Sequence, residues 1–399
     1  GSRGLGDVYK RQILFFTLIT IPFLIACSKP EYKNEHKINY KTIKNLSCQN
    51  LKATGILQLD TLKLDGKESS MEGEFFIYND KIGFSDRTLS SILFYDNQGH
   101  YITSKLSQGR GPNEVLGIDQ ITPITNNRFF IMDEQWNLFL LDSCFRKINQ
   151  YRINWNSQKS LKQLLKNPQP EDTGLYEVEY TKNRLRQWGE NYLLFPVSSD
   201  TKYINGYEGK NTGLYYSENL TMALLSIDSG KVEKLICNYP LIYQKQKNLV
   251  NFKFSLFDTY EKRFLYSYEA DSLIYCMNLG DTTITSFGIA GKDMNQNYKQ
   301  YFTLNDASHN FSKDRNKFGY YHSIVIDPHH DLVFRTYRKG EHSPYDGLQV
   351  YQQNCLIADY QTPKNFTFLG YISPWFYASG PLDYDNEQMI IYRFNLNDL

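Results

Sequence analysis

Six times the chain leaves a polar turn and enters four or more consecutive apolar or aromatic residues. The pattern stands as NDKIGFSD at Lys81, NNRFFIMD at Arg128, GENYLLFP at Asn191, EKRFLYSY at Arg263, HDLVFRTY at Leu332 and NEQMIIYRF at Gln388, in steps of about 47 to 72 residues. A second hairpin follows several of these runs. ILFYDNQGHYIT and LLSIDSGKVEKLI set Asp96–Gly99 and Asp228–Gly230 between short strands, where turn formers belong. Repeats of this size, built from short strands, predict an all-β chain folded as a six-bladed β-propeller. A single unit cannot bury its apolar faces alone; packed around a ring, the units cover one another and leave only short edges. A pair of β-sandwiches is the competing architecture, kept open by the loose spacing. No segment holds a 3.6-residue period over three turns. Helix is expected only locally, in an insertion at Asn156–Asn183, where SLKQLLKN makes a turn or two.

A ring needs a partner for its last blade. Ile56–Leu64, ILQLDTLKL, alternates well and precedes the first blade, so it is expected to pair with the final blade, whose strands end in IIYRFNL. The composition fits: 41% apolar and 22% charged residues allow a large core, and 32 Tyr and 25 Phe suit pleated sheet surfaces. Strand packing accounts for most of these rings, although exposed Tyr and Trp also stack on sugars. A formal net charge of +1 supplies no field to gather phosphates, which argues against nucleic acid as a partner.

The N-terminus reads as an export signal. Lys10 and Arg11 precede an uncharged run, Ile13–Ala26. As a helix this run would cover about 21 Å, short of the ~30 Å hydrocarbon core. A basic flank, a short apolar region and a small residue mark a secretory signal. Leu24-Ile25-Ala26-Cys27 resembles the lipobox of bacterial lipoproteins, in which the cysteine thiol takes the lipid and becomes the new first residue. Acyl chains, each CH₂ adding ~0.8 kcal/mol, would then hold the protein on a membrane without a spanning helix. Residues 1–12 carry Asp7, foreign to such a signal, and are read as an artefactual or truncated start. Residues 27–52, polar and lysine-rich, are expected to be the lipidated cysteine and a flexible tether outside the ring, with the propeller over 53–399. Beyond Cys27 the cysteines number five, with no CxxC spacing. Export permits one disulfide, but buried free thiols are the expectation.

Between the outer strand of blade one and the inner strand of blade two lies SQGRGPNEV. Gly109 and Gly111 permit backbone angles closed to other residues, and Pro112 stiffens the exit. The successive amides form a candidate anion cradle beside the Arg110 fork, with Asn113 and Glu114 as further candidate ligand contacts. The plainer reading is a tight corner whose Arg110 and Glu114 are solvated. GRGPNE followed by an inner strand, together with the lipobox, resembles the six-bladed propeller lipoproteins of Bacteroidota often called TolB-like, whose blades join through a G-x-G-P-x-E corner. Gly109, Gly111, Pro112 and Glu114 match it. The resemblance runs from about residue 50 to the end. It implies a propeller in the cell envelope, at the outer membrane with the leaflet open, and carries over no catalytic residues.

Neither an HExxH helix nor a GxSxG elbow occurs, and GIAGKD at Gly288 lacks the phosphate-loop spacing and reads as another inter-blade corner. LDGKESSMEGE lacks the ligands of a calcium hand, and DYDNE at Asp383–Glu387 reads as a hairpin turn. His329-His330-Asp331 sits at a turn and would need distant partners to hold a metal; no metal or cofactor is assigned. His322, with Tyr320 and Tyr321, opens an inner strand near the expected channel mouth, and Tyr321 and His322 join the candidate ligand contacts. Trp375 and Tyr377 fall in the last blade or its preceding loop. The resulting expectation is a lipid-anchored binding or scaffolding module for a glycan, a peptide or an envelope protein. The alternative is a lyase or hydrolase using His and carboxylates that line the channel.

Overall fold

The computed structural model describes residues 37–65, 67–199, 212–246, 249–383, 385 and 388–396. Six sheets of four or five strands carry the chain. Blade one is Gly73–Tyr78, Lys81–Asp86, Ser91–Tyr95 and Tyr101–Lys105, each antiparallel to the next. Blade two repeats this over Gln120–Ile124, Arg128–Met132, Asn137–Leu141 and Lys147–Arg152. Blade four begins at Ser255–Tyr260, blade five at Tyr320–Asp327 and blade six at Thr367–Ile372. The protein is a six-bladed β-propeller.

The apolar runs are continuous rather than alternating because both faces of each blade are buried. In RFFIM, Phe129 and Ile131 pack against blade one with Ile92 and Phe94, while Phe130 and Met132 pack against blade three with Leu193 and Phe195. All four are fully buried. Six such clusters fill the six inter-blade seams. The seam between blades three and four holds Tyr40, Tyr215, Tyr216, Tyr239, Tyr243, Tyr266, Tyr268 and Tyr275, which accounts for much of the tyrosine content.

Strands from early and late in the sequence close the ring. Asp60–Lys63 is the outer strand of blade six, antiparallel to Ile390–Phe394, with Arg393 opposite Asp60 and Ile390 opposite Lys63. The Arg393 guanidinium donates to the Asp60 carboxylate at 2.6 Å and lies over the Trp375 ring. Tyr377 is buried, and its hydroxyl donates to the Asn97 carbonyl of blade one.

Two expectations need correction. The boundary drawn at residue 53 falls too late. Lys44–Asn45 adds in parallel to the outer strand of blade four, and Cys48–Ile56 adds in parallel to Cys355–Thr362 of blade five. An outer strand leaves a row of N–H and C=O groups unpaired, and this segment satisfies them. Its residues stay mostly exposed, so no apolar pattern marks it. The sixth run, at Gln388, is not equivalent to the other five: it leads into the third strand of blade six, Ile390–Phe394, whereas they lead into second strands. Any hairpin strand that follows a polar turn looks alike in sequence.

The belt made by Lys44–Lys63 is covalently fastened. Cys48 stands opposite Cys355 in the parallel register, and the two form a disulfide, with Cα atoms 4.2 Å apart. This replaces the expectation of free thiols at these two positions, while Cys144, Cys237 and Cys276 are free. The pair closes a loop of 307 residues. Cys48→Ser is expected to cost about 2–5 kcal/mol, read as a lower urea midpoint. The unmutated protein in reductant should fall to the same midpoint. No change in either case would mean that strand pairing alone holds the belt.

Helices are few. Leu161–Lys166 opens with a capping box between Ser160 and Gln163, in the insertion where a short helix was expected. Leu304–Lys317, between blades four and five, was not anticipated; only Ala307 and Asp314 of it are buried, so its apolar stripe is faint. Among the described residues no helix is long and apolar enough to cross a membrane.

Candidate functional site

The innermost strands of all six blades start at one end of the ring, and there they surround a cavity of about 580 Å³. Gly73–Phe76, Gln120, Ser255, His322 and Thr367 reach it from blades one, two, four, five and six. Blade three contributes differently. Its innermost strand is split: Glu177–Val178 pairs with Val197–Ser198, and Arg186–Trp188 pairs with Tyr192–Leu194. The residues between them leave the sheet, and Tyr180, Thr181, Lys182, Asn183 and Arg184 line the cavity.

In this excursion Lys182, Arg184 and Arg186 alternate with Asn183 and Leu185. Leu185 is fully buried, while Lys182, Arg184 and Arg186 line the cavity. Lys182 meets the buried Glu269 carboxylate at 2.6 Å. Glu269 also takes a two-pronged contact from Arg315 of the Leu304–Lys317 helix, at 2.5 and 2.8 Å. The Arg315 guanidinium lies 3.7 Å from the centre of the Tyr320 ring. Arg186 donates to Asp258 at 2.8 Å, and the second oxygen of that carboxylate accepts the Ile326 N–H of blade five at 2.9 Å. Asp258 thereby ties blades three, four and five together. Arg184 comes no nearer to Asp258 than 4.0 Å.

Burial dominates the protonation behaviour of the site. It pulls the Lys182 ammonium down to about 8, against the attraction of Glu269. Burial and then neighbouring Arg186 bring Arg184 down to about 10. His322 is held well below the ordinary imidazole value, first by burial and then by Arg338, Lys182, Arg315 and Arg184. At neutral pH it is an uncharged ring, with Nδ1 3.4 Å from the Lys182 ammonium. His322 occupies the irregularity between Tyr321 and Ser323 in the strand register, and such bulges re-aim a side chain.

The residues singled out in the sequence go to different places. His322 lines the cavity. Tyr321 does not: it is fully buried in the seam between blades four and five, where its hydroxyl accepts the Gly291 N–H and its ring packs on the Arg335 guanidinium at 4.0 Å. One step along a strand moves a side chain to the opposite face. The SQGRGPNEV corner is self-contained. Ser107–Gln108 pairs with Glu114–Val115, the Gly109 N–H donates to the Val115 carbonyl, and the Gly111 N–H donates to the Glu114 carboxylate at 2.7 Å. The concavity that could hold an anion thus holds the chain's own Glu114. A Cβ on Gly109 would lie 2.1 Å from that carboxylate, hence the glycine. Pro112 is exposed at the turn, and Arg110 and Asn113 are exposed and outside the cavity lining. His330 bonds Asp327 at 2.6 Å in the hairpin at the other end of its strand, away from the cavity. Among the described residues no three His, Cys, Asp or Glu side chains are grouped to hold a metal. Asp383 pairs with Gln388 across the DYDNE turn, whose remaining residues lie partly outside the described ones, as do Cys27 and the signal-like run.

Fold and cavity together define a six-bladed propeller with a basic axial mouth. Compared by sequence, the chain matches no protein-family model and no curated protein. Compared by structure, it is similar to a member of the DUF4221 family from Bacteroides vulgatus, with a TM-score of 0.63 and 12% identity over 84% of this chain and 97% of the other. It is also similar to a candidate exported protein from Bacteroides fragilis, with a TM-score of 0.53 and 13% identity over 88% of this chain and 99% of the other. Identities this low speak to the fold alone.

Proposed function

We propose that the protein is a cell-envelope binding module, held to a membrane through acylated Cys27, that takes a glycan, a peptide or a partner protein at the axial mouth. The observation that carries this reading is convergence: strand starts from five blades and a loop from the sixth surround a single cavity lined by polar groups. The envelope part is supported by the signal-like run Ile13–Ala26 with its LIAC motif, and by the Cys48–Cys355 disulfide, which fits an oxidising compartment. The similar Bacteroides fragilis protein carries an exported protein's name. The likeness to TolB-like lipoproteins belongs to the same reading.

A lyase or hydrolase working at this mouth is the second reading. One observation favours it: His322 is neutral and sits beside Lys182, as a proton acceptor would. The two are separated by incubating the full chain with envelope glycans and peptides and following both binding and cleavage. Binding with intact ligand supports the module, and product formation that is lost in His322→Gln supports the enzyme. For the anchor, Cys27→Ser is expected to move the protein from the membrane pellet to the soluble fraction and to abolish incorporation of labelled palmitate. Labelling that persists in the variant excludes Cys27 as the anchor.

A further inference from the structure

We propose that the mouth takes an acidic saccharide, with a sugar ring laid on Tyr180 and its carboxylate turned toward Arg184. This rests on the mouth being the ligand site, and adds the chemistry of the ligand.

Charge is the first ground. The cavity is lined by Arg87, Lys182, Arg184 and Arg186 against Glu74 and Asp119. Lys182 and Arg186 are held by Glu269 and Asp258, and Arg87 stands 3.8 Å from Asp119. Among the described residues, Arg184 has no carboxylate at hydrogen-bond distance; Asp258 and Glu74 act on it only through space. The Asp258 oxygen 4.0 Å from it is already 2.8 Å from Arg186. A guanidinium fork matches a carboxylate in two parallel hydrogen bonds, and in a desolvated pocket that pairing is strong. His322 is kept uncharged first by burial and then by Arg338, Lys182, Arg315 and Arg184, two of which line the cavity.

Tyr180 is the second ground. It belongs to the same excursion, lines the cavity, and is 74% exposed. Among the described residues no aromatic ring or cation packs on it. A large ring left bare at the lip of a cavity offers a flat apolar face beside a polar hydroxyl, and the C–H face of a sugar fits it. Inorganic phosphate would satisfy Arg184 and leave Tyr180 idle. The cavity volume is that of a small-ligand site, with room for a short saccharide.

The test is calorimetric titration of the full chain with disaccharides of glucuronate, galacturonate and mannuronate in turn, and with cellobiose and inorganic phosphate as comparison probes. At least one diuronate is expected to bind, several-fold more weakly when salt rises from about 50 to about 500 mM. Arg184→Gln should weaken it about tenfold, the loss of one charge-assisted contact, and Arg184→Lys should restore part of that. Tyr180→Ala should weaken it about fivefold. Both side chains are partly exposed, so thermal melts should report folded variants; if Arg184→Gln does not fold, Arg184→Lys and Tyr180→Ala carry the test. Cellobiose bound as tightly as a diuronate, and indifferent to Arg184→Gln, would overturn the acidic assignment while leaving the mouth as the site. Phosphate bound as tightly as any diuronate, with diuronate binding unchanged in Tyr180→Ala, overturns the saccharide. Binding that is lost on Arg110→Ala and untouched by both mouth variants overturns the mouth itself. No diuronate bound at millimolar concentration also overturns the proposal.

Discussion

Arg335→Met is expected to lower the unfolding free energy by about 2–6 kcal/mol, the cost of two buried carbonyls left without a donor. Arg335 is fully buried in blade five, yet its guanidinium donates to the carbonyls of Ser272 and Ile289 in and after blade four, at 2.7 and 2.6 Å. It also donates to Gln349 and to the Tyr351 hydroxyl. Tyr321 covers one face of it. Methionine fills much of the volume and satisfies none of these acceptors, and each carbonyl left dry costs about 1–3 kcal/mol. Urea unfolding measures the effect. A loss below about 1 kcal/mol would mean that water takes the guanidinium's place, and the seam would then owe its strength to its apolar packing alone.

The second large effect concerns the belt. A chain that starts after Asp65 lacks the outer strand of blade six and the strands that cover blades four and five. It also loses the buried side chains of Tyr40, Leu57, Leu62 and Leu64. At about 1.5–3 kcal/mol for each apolar side chain, the loss rivals the whole stability of an ordinary domain, about 5–15 kcal/mol. The expected result is an insoluble chain, or one without a cooperative melt, while a chain starting at Lys37 melts like the full protein. If the shorter chain melts within a few degrees of the longer one, blade six closes without help from the N-terminal strand.

Much of the fold was legible because a blade buried on both faces writes itself as an unbroken apolar run. RFFIM and RFLYSY are such runs, and counting them leads to six blades. The closing strand was legible over Asp60–Lys63 because Leu62 and Leu64 are buried and their neighbours are not, but the start of the expected Ile56–Leu64 run pairs with blade five, where Ile56 stands opposite Gln361. Strand Cys48–Ile56 was not, since its hydrogen bonds are made by backbone and its side chains remain in water. The helix at Leu304–Lys317 is signed only by its Thr303 cap, which accepts from the Asp306 N–H; it is held by Asn251 on Asp314 and by Arg315 on Glu269 rather than by an apolar stripe. In the mouth, the alternation Lys182, Arg184, Arg186 stood in plain view. What gives it meaning did not: Glu269 and Asp258 reach it from another blade, and no local pattern records that meeting.

Asp60 and Arg393 lie 333 positions apart yet share one sheet. Synthesis releases the second of them 333 residues after the first. For all that interval the opening strand has no mate, and native order cannot be sealed until Arg393 emerges. Contacts this distant along a chain form slowly. The ring therefore stays open through that whole stretch of synthesis, and until it shuts it depends on whatever keeps a half-made circle from pairing with a stranger.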